Sequence, residues 1–373
     1  MLGTSIARYW GRKPLEVIRE VIDDGDTVIV DPFGGSGTIM FAALERGKKA
    51  VYADINPYAW LIAHVLVSGA DHGEFNEVAR RVLEAARSRR SRRRKLRNDR
   101  LYYPDGNPFM KRRRYDRVSD LFPEENARAL FSILEAIDEQ EASPRTMLAL
   151  YLAFCNTLFP SSYMKRQGAG SWGVPCYWVP QNREPEDPFT VFERAVERLT
   201  RFFKFRRFYS VGYSLGDLAN REAVLLLANA LTLRYDPLWT VVTDPPHLDE
   251  VQYMELSFFY WAWLRESRFL EVVEQLIGRR PCFYMSKEIT VNPKRGTDIN
   301  IYLESIKRFM LRVRRIRRKV LIFHEEDSKV LSSIVEYSKS IWGTVKVDFV
   351  QIDTQRKIGP RGSIVYVVLK SPR

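Results

Sequence analysis

An apolar run followed by a glycine-rich turn is the feature that most constrains the fold of this chain. Residues 27–31 (TVIVD) read as a buried parallel strand. The turn at 34–37 leads into a helical pattern, TIMFAALERG, which ends at Gly47 as a helix C-terminus does. A second strand pattern at 49–54 and a second helical pattern at 57–67 follow. This alternation predicts right-handed crossovers and a parallel sheet.

The alternation stops near residue 73 and resumes after about residue 205. The segment between is helical in pattern and basic, and we interpret it as an insertion. Afterwards the patterns predict strands at 208–211, 238–244 and 319–324, helices at 299–317 and 328–341, and two closing strands, 344–352 and 363–370, that pair antiparallel. We therefore predict an α/β fold: a doubly wound Rossmann-like sheet with an antiparallel edge. Residues 1–73 and 206–373 form its cofactor-binding domain, and residues 74–205 form a nucleic-acid-binding insertion.

The distribution of charge favours a polyanionic partner. The 373 residues carry 59 Lys and Arg against 46 Asp and Glu, a net charge of +13. Basic residues cluster at 87–100, 111–117 and 312–319. Each cluster alone is explained by a solvated helix face, but three together favour contact with phosphates. The candidate phosphate contacts are Arg92, Arg93, Arg94, Lys165 and Arg166.

Several other classes of protein are disfavoured. Three scattered cysteines do not make a disulfide framework or a four-ligand zinc site, and they fit a reducing cytoplasm. The N-terminus lacks the apolar run of a secretory signal, and the longest apolar stretch, 147–159, is too short to cross a bilayer. His324 and the acids after it are read as a helix N-terminus rather than as metal ligands. We expect no metal and no membrane partner.

The glycine-rich turn, residues 31–38 (DPFGGSGT), is suited to holding a ligand. Glycines let a ligand approach the backbone, and the following helix N-terminus offers free N–H groups. Asp54 ends the second strand, where an acid commonly binds ribose hydroxyls. The turn is neither a G-x-G-x-x-G fingerprint nor a P-loop, which disfavours nicotinamide and ATP.

A second motif, Asp244-Pro245-Pro246-His247, follows the apolar strand LWTVVT. Two prolines make the loop rigid, and an Asp there presents its carboxylate at the ligand-binding edge of the sheet. Alone, the motif is equally explained by a rigid loop.

Together the two motifs resemble motifs I and IV of the S-adenosylmethionine-dependent methyltransferases that modify N6 of adenine or N4 of cytosine. Their order resembles the alpha and gamma arrangements, and other stretches are similar to archaeal proteins labelled DNA methylases. The resemblance implies S-adenosylmethionine as cofactor. It implies that the cofactor is bound by Tyr9, Trp10, Asp31, Pro32, Phe33, Gly34, Gly35, Gly37, Thr38, Asp54, Ile55, Asn56 and Asp217.

The resemblance also implies a mechanism. The Asp244 carboxylate and the Pro245 carbonyl accept both N–H bonds of an exocyclic amine and aim its lone pair at the methyl group. The target base leaves its helix to reach such a pocket. The family usually has an aromatic residue where this chain has His247, so Tyr253 or Trp172 is a candidate stacking partner for the base.

The sequence leaves the substrate open. The arginine-rich clusters and His247 marginally favour structured RNA such as ribosomal RNA, with site-specific DNA methylation as the alternative. A non-catalytic nucleic-acid-binding protein and a methyltransferase acting on a small molecule or a protein are further alternatives.

Overall fold

The computed structural model describes residues 5–89, 91–103, 115–167, 177–246, 248, 251–324, 327–354 and 362–371. The chain divides into two compact units that interleave along the sequence. The helical unit contains residues 1–10, 56–209 and 253–285, and the sheet unit contains residues 11–55, 210–252 and 286–373. The predicted insertion, residues 74–205, lies wholly within the helical unit.

The sheet unit is built on an eight-stranded sheet, described over the ranges above, in the order β3-β4-β2-β1-β5-β6-β8-β7. The strands are β1 (Val28–Asp31), β2 (Lys49–Asp54), β3 (Val211–Gly212), β4 (Ala223–Leu227), β5 (Thr240–Thr243), β6 (Arg318–Phe323), β7 (Lys346–Thr354) and β8 (Gly362–Lys370). The first six strands are parallel, and β8 and β7 add an antiparallel edge. The predicted α/β class and antiparallel edge are confirmed.

The order of the strands marks where a ligand binds. From β1 the chain adds β2, β4 and β3 on one side, and then it returns to place β5 on the other side of β1. Open α/β sheets bind ligands outside the carboxyl ends of their strands at such a switch point. The loops after β1 and β5 are therefore expected to form the ligand-binding site.

The α-helices of the sheet unit, within the described ranges, are α1 (Leu15–Val21), α2 (Thr38–Glu45), α10 (Ile299–Arg312) and α11 (Ser328–Trp342). Helix α10 contributes Tyr302, Ile306, Phe309 and Met310 to a core with Val30, Val51 and Val241 of the sheet. These apolar residues recur at helical spacing, so one face of α10 is buried on the sheet.

The helical unit contains α3 (Pro57–Ser68), α4 (His72–Ser88), α5 (Glu124–Asp138), α6 (Pro144–Leu158), α7 (Pro188–Lys204), α8 (Tyr253–Leu264) and α9 (Phe269–Ile277). Asp71, Ser143 and Asp187 cap α4, α6 and α7 through side-chain hydrogen bonds. Every residue of α3, and every residue of α8 after Tyr253, is buried. Helices that are apolar on all sides are typical of a bundle centre.

Three details of the sequence prediction are wrong. The strand expected at 208–211 forms only at Val211–Gly212, because Tyr209 N–H donates to the carbonyl of Val67 instead. Strand β4 was not predicted. Helix α10 ends at Arg312 rather than residue 317, because Val313 and Ile316 are buried in a turn that leads into β6.

Candidate active site

Three of the predicted acids lie at one edge of the sheet. Asp31 ends β1, Asp54 ends β2, and Asp244 directly follows β5. Strands β1, β2 and β5 are adjacent and parallel, so their carboxyl ends share this edge. The two sequence motifs, residues 31–38 and the loop that begins at Asp244, therefore meet at the switch point.

Thr243 links the two motifs directly. Its buried hydroxyl donates to Oδ1 of Asp31 at 2.6 Å and accepts from the N–H of Phe33 at 3.3 Å. One side chain at the end of β5 thus binds both ends of the Asp31-Pro-Phe segment. A buried hydroxyl with both a donor and an acceptor partner fixes the loops that it joins.

The glycine turn packs too closely for side chains at its centre. A Cβ atom added to Gly34 would lie 2.2 Å from the ring of Tyr52. The Tyr52 hydroxyl donates to the carbonyl of Gly35 at 2.8 Å, and the N–H of Gly35 donates to Oδ2 of Asp54 at 2.8 Å. Gly37, at φ +81°, is the N-cap of α2. The turn therefore brings the Asp54 carboxylate and the start of α2 to one place.

A buried ion pair holds the second motif. Nζ of Lys13 lies 2.7 Å from Oδ2 of Asp244, and the side chains are only 4% and 16% exposed. The other carboxylate oxygen, Oδ1, is buried and has no hydrogen-bond partner among the residues that the structure describes. Leaving such an oxygen without a donor is costly. Oδ1 is therefore an acceptor that a bound amine would satisfy.

The loop around Asp244 has two further contacts. The carbonyl of Pro246 accepts a hydrogen bond from the Tyr302 hydroxyl at 3.0 Å, which fixes the loop to α10. Nζ of Lys13 also lies 5.6 Å from the centre of the Tyr366 ring on β8. Burial and the negative charge of Asp244 raise the pKa of Tyr366, so this hydroxyl stays protonated at neutral pH.

Asp31 is the acid whose ionisation is most perturbed. Burial raises the pKa of Asp31 to about 8, against the opposing effect of its hydrogen bond from Thr243. The negative charges of Asp244 and Asp54 act in the same direction as burial. A positively charged ligand beside Asp31 would favour the ionised carboxylate.

Other predicted cofactor residues of the sheet unit have structural contacts. Phe33 packs edge-on against Phe309 of α10 at 5.0 Å between ring centres. Thr38 is buried beside the hydroxyl of Ser36. Oδ2 of Asp217 accepts from the backbone N–H groups of Tyr213 and Ser214, which lowers the pKa of Asp217 and caps a short 3-10 helix, Leu215–Ala219. Pro32 is buried and Ile55 is half-buried.

Tyr9, Trp10, Asn56 and Tyr253 belong to the helical unit. The rings of Tyr9 and Tyr253 stack at 5.9 Å between centres, and Trp10 packs at 5.9 Å from Tyr9. Asn56 caps α3 by accepting from the N–H of Tyr58, and its amide donates to the Ser257 hydroxyl on α8 at 2.7 Å. Tyr9 and Tyr253, which the resemblance assigns to cofactor and base respectively, are thus neighbours.

Most of the predicted phosphate contacts already have acidic partners. Arg93 pairs with Glu266, Arg94 with Glu124, and Lys165 with Glu186. Arg166 is half-buried and forms a backbone bridge with Arg183. Arg92 is exposed, and no carboxylate pairs with it in the described part of the chain. Two predicted residues, Trp172 and His247, lie outside the described residues.

The sequence analysis missed two residues of this site, Lys13 and Thr243. Lys13 lies in the segment Tyr9–Pro14, which resembles a cofactor-covering segment of the family, but only Tyr9 and Trp10 of it were assigned to the cofactor. Thr243 directly precedes the Asp-Pro-Pro motif. A lysine in the N-terminal motif and a threonine at the end of a buried strand were the available signals.

Comparison with known proteins agrees with this geometry. Residues 12–159, less than half of the chain, match the family model of the D12 class N6 adenine-specific DNA methyltransferases. The matched range contains Lys13, the glycine turn and Asp54. The protein is a nucleic-acid amino-methyltransferase, and over the matched range it is similar to the N6-adenine-specific class. No curated protein and no solved structure matches the chain.

The family implies S-adenosylmethionine as the methyl donor, and the residues of the methyltransferase fit it. The turn has no side chains at Gly34, Gly35 and Gly37, and the Asp54 carboxylate lies beside it. Asp31 is an acid that a cationic ligand would ionise.

The family description names DNA, so the comparison favours the DNA alternative and gives no support to the RNA preference. In the described residues no group of three His, Cys, Asp or Glu side chains is placed to hold a metal ion. No helix there is long and apolar enough to span a membrane.

Proposed function

We propose that this methyltransferase transfers a methyl group from S-adenosylmethionine to N6 of adenine in DNA. The observation that carries the proposal is Oδ1 of Asp244, a buried acceptor without a partner in the described chain, at the switch point beside the glycine turn. The match to a family described as adenine-specific and DNA-directed supports the choice of base and polymer.

Asp244 has the central role in this proposal. The lone pair of an exocyclic amine is delocalised into the ring, so the amine is a poor nucleophile. A hydrogen bond from the amine to Oδ1 of Asp244, with a second to the Pro245 carbonyl, localises the lone pair on nitrogen. The prolines and the bond from Tyr302 to Pro246 keep this acceptor pair rigid.

The glycine turn and Asp54, at the same sheet edge, would hold the methyl donor. S-adenosylmethionine, when bound, supplies an electrophilic methyl group on a positively charged sulfur. Gly34, Gly35 and Gly37 give it access to the backbone, Asp54 accepts from the ribose hydroxyls, and Asp31 lies near its positive charge. Oδ1 of Asp244 would accept the proton that the amine nitrogen loses when it takes the methyl group from sulfur.

Substrate binding is assigned to the helical unit. We assign base stacking to Tyr253 and a phosphate contact to Arg92, an exposed arginine that has no acidic partner in the described chain. The proposal assigns no step to a metal.

The proposal is tested by labelled methyl transfer to genomic DNA and to total RNA in parallel, followed by nucleoside mass analysis. N6-methyladenine in the DNA is the expected product. Label found only in RNA, or only on N4 of cytosine, would overturn it.

A further inference from the structure

Ion pairs neutralise some of the basic residues in the first two clusters of the sequence. In the segment 87–100, Arg89 pairs with Glu139, Arg93 with Glu266, and Arg94 with Glu124. Arg117, at the end of the second cluster, pairs with buried Asp99. These carboxylates cancel part of the positive field of the two clusters, whereas Arg92, Lys95, Arg97 and Arg100 are exposed and their side chains pair with no carboxylate in the described residues.

The third cluster, residues 312–319, has a different arrangement. Val313 and Ile316 are buried and hold the turn between α10 and β6. Arg318 pairs with Asp26 at 2.7 Å, so it too is used inside the fold. Arg314, Arg315 and Arg317 project from the same turn, are exposed, and pair with no carboxylate in the described residues.

A neighbouring segment adds to this surface. Nη2 of Arg312 donates to the carbonyl of Leu233 at 2.8 Å, and the N–H of Arg317 donates to the carbonyl of Pro237 at 2.9 Å. These two bonds bring exposed Arg234 beside the turn. We call Arg234, Arg312, Arg314, Arg315 and Arg317 the arginine patch.

The arginine patch lies at the sheet edge opposite to Asp244. Its residues precede the first residues of β5 and β6, Thr240 and Arg318, which are paired in register. Asp244 follows the last residue of β5. Four strand residues span about 13 Å, so the patch and Asp244 lie at opposite ends of β5.

We propose that the arginine patch is a second DNA-binding surface, which holds the phosphate backbone of a duplex away from the target base. The choice of DNA rests on the proposed function. Five exposed guanidinium groups on one turn and the segments beside it, with no ion-paired acid among the described residues, supply several donors for the oxygens of a phosphate backbone. Bound phosphates release counterions, so the contribution of the patch depends on salt.

The test compares two triple variants that lose the same charge. The patch variant is Arg314→Gln/Arg315→Gln/Arg317→Gln. The control is Arg80→Gln/Arg81→Gln/Arg128→Gln, in which each arginine pairs with a carboxylate, Glu84, Glu77 and Glu124 respectively. Affinity for a duplex of about 60 base pairs is measured by fluorescence anisotropy at several salt concentrations.

The patch variant should lower the slope of log affinity against log salt by about 2 to 3, since each phosphate contact contributes roughly 0.9. The control should lower it by less than about 1. A triple Arg→Lys variant of the same patch residues should keep the slope. Equal changes in the patch variant and the control, or no change in the patch variant, would overturn the proposal.

Methyl transfer separates this proposal from the proposed function. On a duplex of about 14 base pairs the patch variant should keep the wild-type rate, whereas on long DNA its KM should rise several-fold. An equal loss on both lengths would show that the patch is part of the catalytic face and would overturn the second surface. A wild-type enzyme that methylates no DNA would refute the proposed function, while the salt slopes would still decide whether the patch binds a duplex.

Discussion

Nζ of Lys13 lies 2.7 Å from Oδ2 of Asp244, and this pair leaves Oδ1 as the unpartnered oxygen within the described structure. Two roles fit such a lysine. It positions the carboxylate, or it occupies the place of the substrate amine. Lys13 is 4% exposed and lies against the ring of Tyr366, which favours the positioning role.

Lys13→Met is therefore expected to lower kcat by roughly 100-fold, because the carboxylate loses its orientation and its balancing charge. The KM for S-adenosylmethionine should change little. Lys13→Arg should restore part of the rate, since it keeps the charge. Steady-state kinetics on an adenine-containing duplex checks this. Unchanged kcat together with tighter DNA binding in Lys13→Met would instead show that Lys13 occupies the place of the substrate amine.

The raised pKa of Asp31 predicts that the free energy of unfolding decreases as the pH rises. The pKa of Asp31 rises from 3.8 to about 8 on folding. Between these two pH values the Asp31 carboxyl group is therefore protonated in the folded protein and ionised in the unfolded chain. The stabilisation is complete below pH 4 and is lost as the pH rises towards 8, at up to about 1.4 kcal/mol per pH unit.

The free energy of unfolding of the wild type, relative to Asp31→Asn, should therefore fall between pH 5 and pH 8. Urea unfolding at several pH values measures it. Asp24→Asn, which changes a 97% exposed carboxylate, is the matched control and should keep the wild-type profile. If the profile of Asp31→Asn is parallel to that of the wild type, the assignment to Asp31 is wrong.

Gly34→Ala should abolish cofactor binding or shift the turn, because the new Cβ would lie 2.2 Å from the Tyr52 ring. Gly216→Ala is the control, since the nearest atom to its Cβ, the Ser214 hydroxyl, is 3.7 Å away. Isothermal calorimetry with S-adenosylmethionine compares the two. Wild-type affinity in Gly34→Ala would show that the turn does not form the cofactor cradle.

Part of this site follows from local sequence and part does not. The strands that end at Asp31 and Asp54 and the start of α2 were predicted, because apolar runs and glycines act within a few residues. The pairing of Lys13 with Asp244, and of Thr243 with Asp31, joins positions more than 200 residues apart along the chain. No local pattern specifies such partners.

Local sequence likewise does not specify which arginines form ion pairs. Arg94 and Arg314 both lie in basic runs, and only the fold decides that one lies beside Glu124 and the other beside no described carboxylate. Strand β4 was missed because Ala223–Leu227 is a short apolar run, which by periodicity alone is compatible with either a strand or a helix.

Thr243→Val should separate catalytic from structural hydrogen bonds. It removes the hydroxyl that joins Asp31 and Phe33, whereas Thr240→Val, at the other end of β5, removes a bond to Asp26. Each change should lower the free energy of unfolding by about 1–3 kcal/mol. At a temperature where both variants are folded, only Thr243→Val should also lower kcat/KM, and equal activities would contradict the linking role.

The most direct test of the account is methyl transfer by Asp244→Ala, measured together with its affinity for S-adenosylmethionine. The account predicts that the wild type forms N6-methyladenine in DNA, and that the variant loses at least about 1,000-fold in rate while cofactor affinity stays within a few-fold. A variant that still methylates adenine at close to the wild-type rate would contradict the role of Asp244 and, with it, the proposed mechanism.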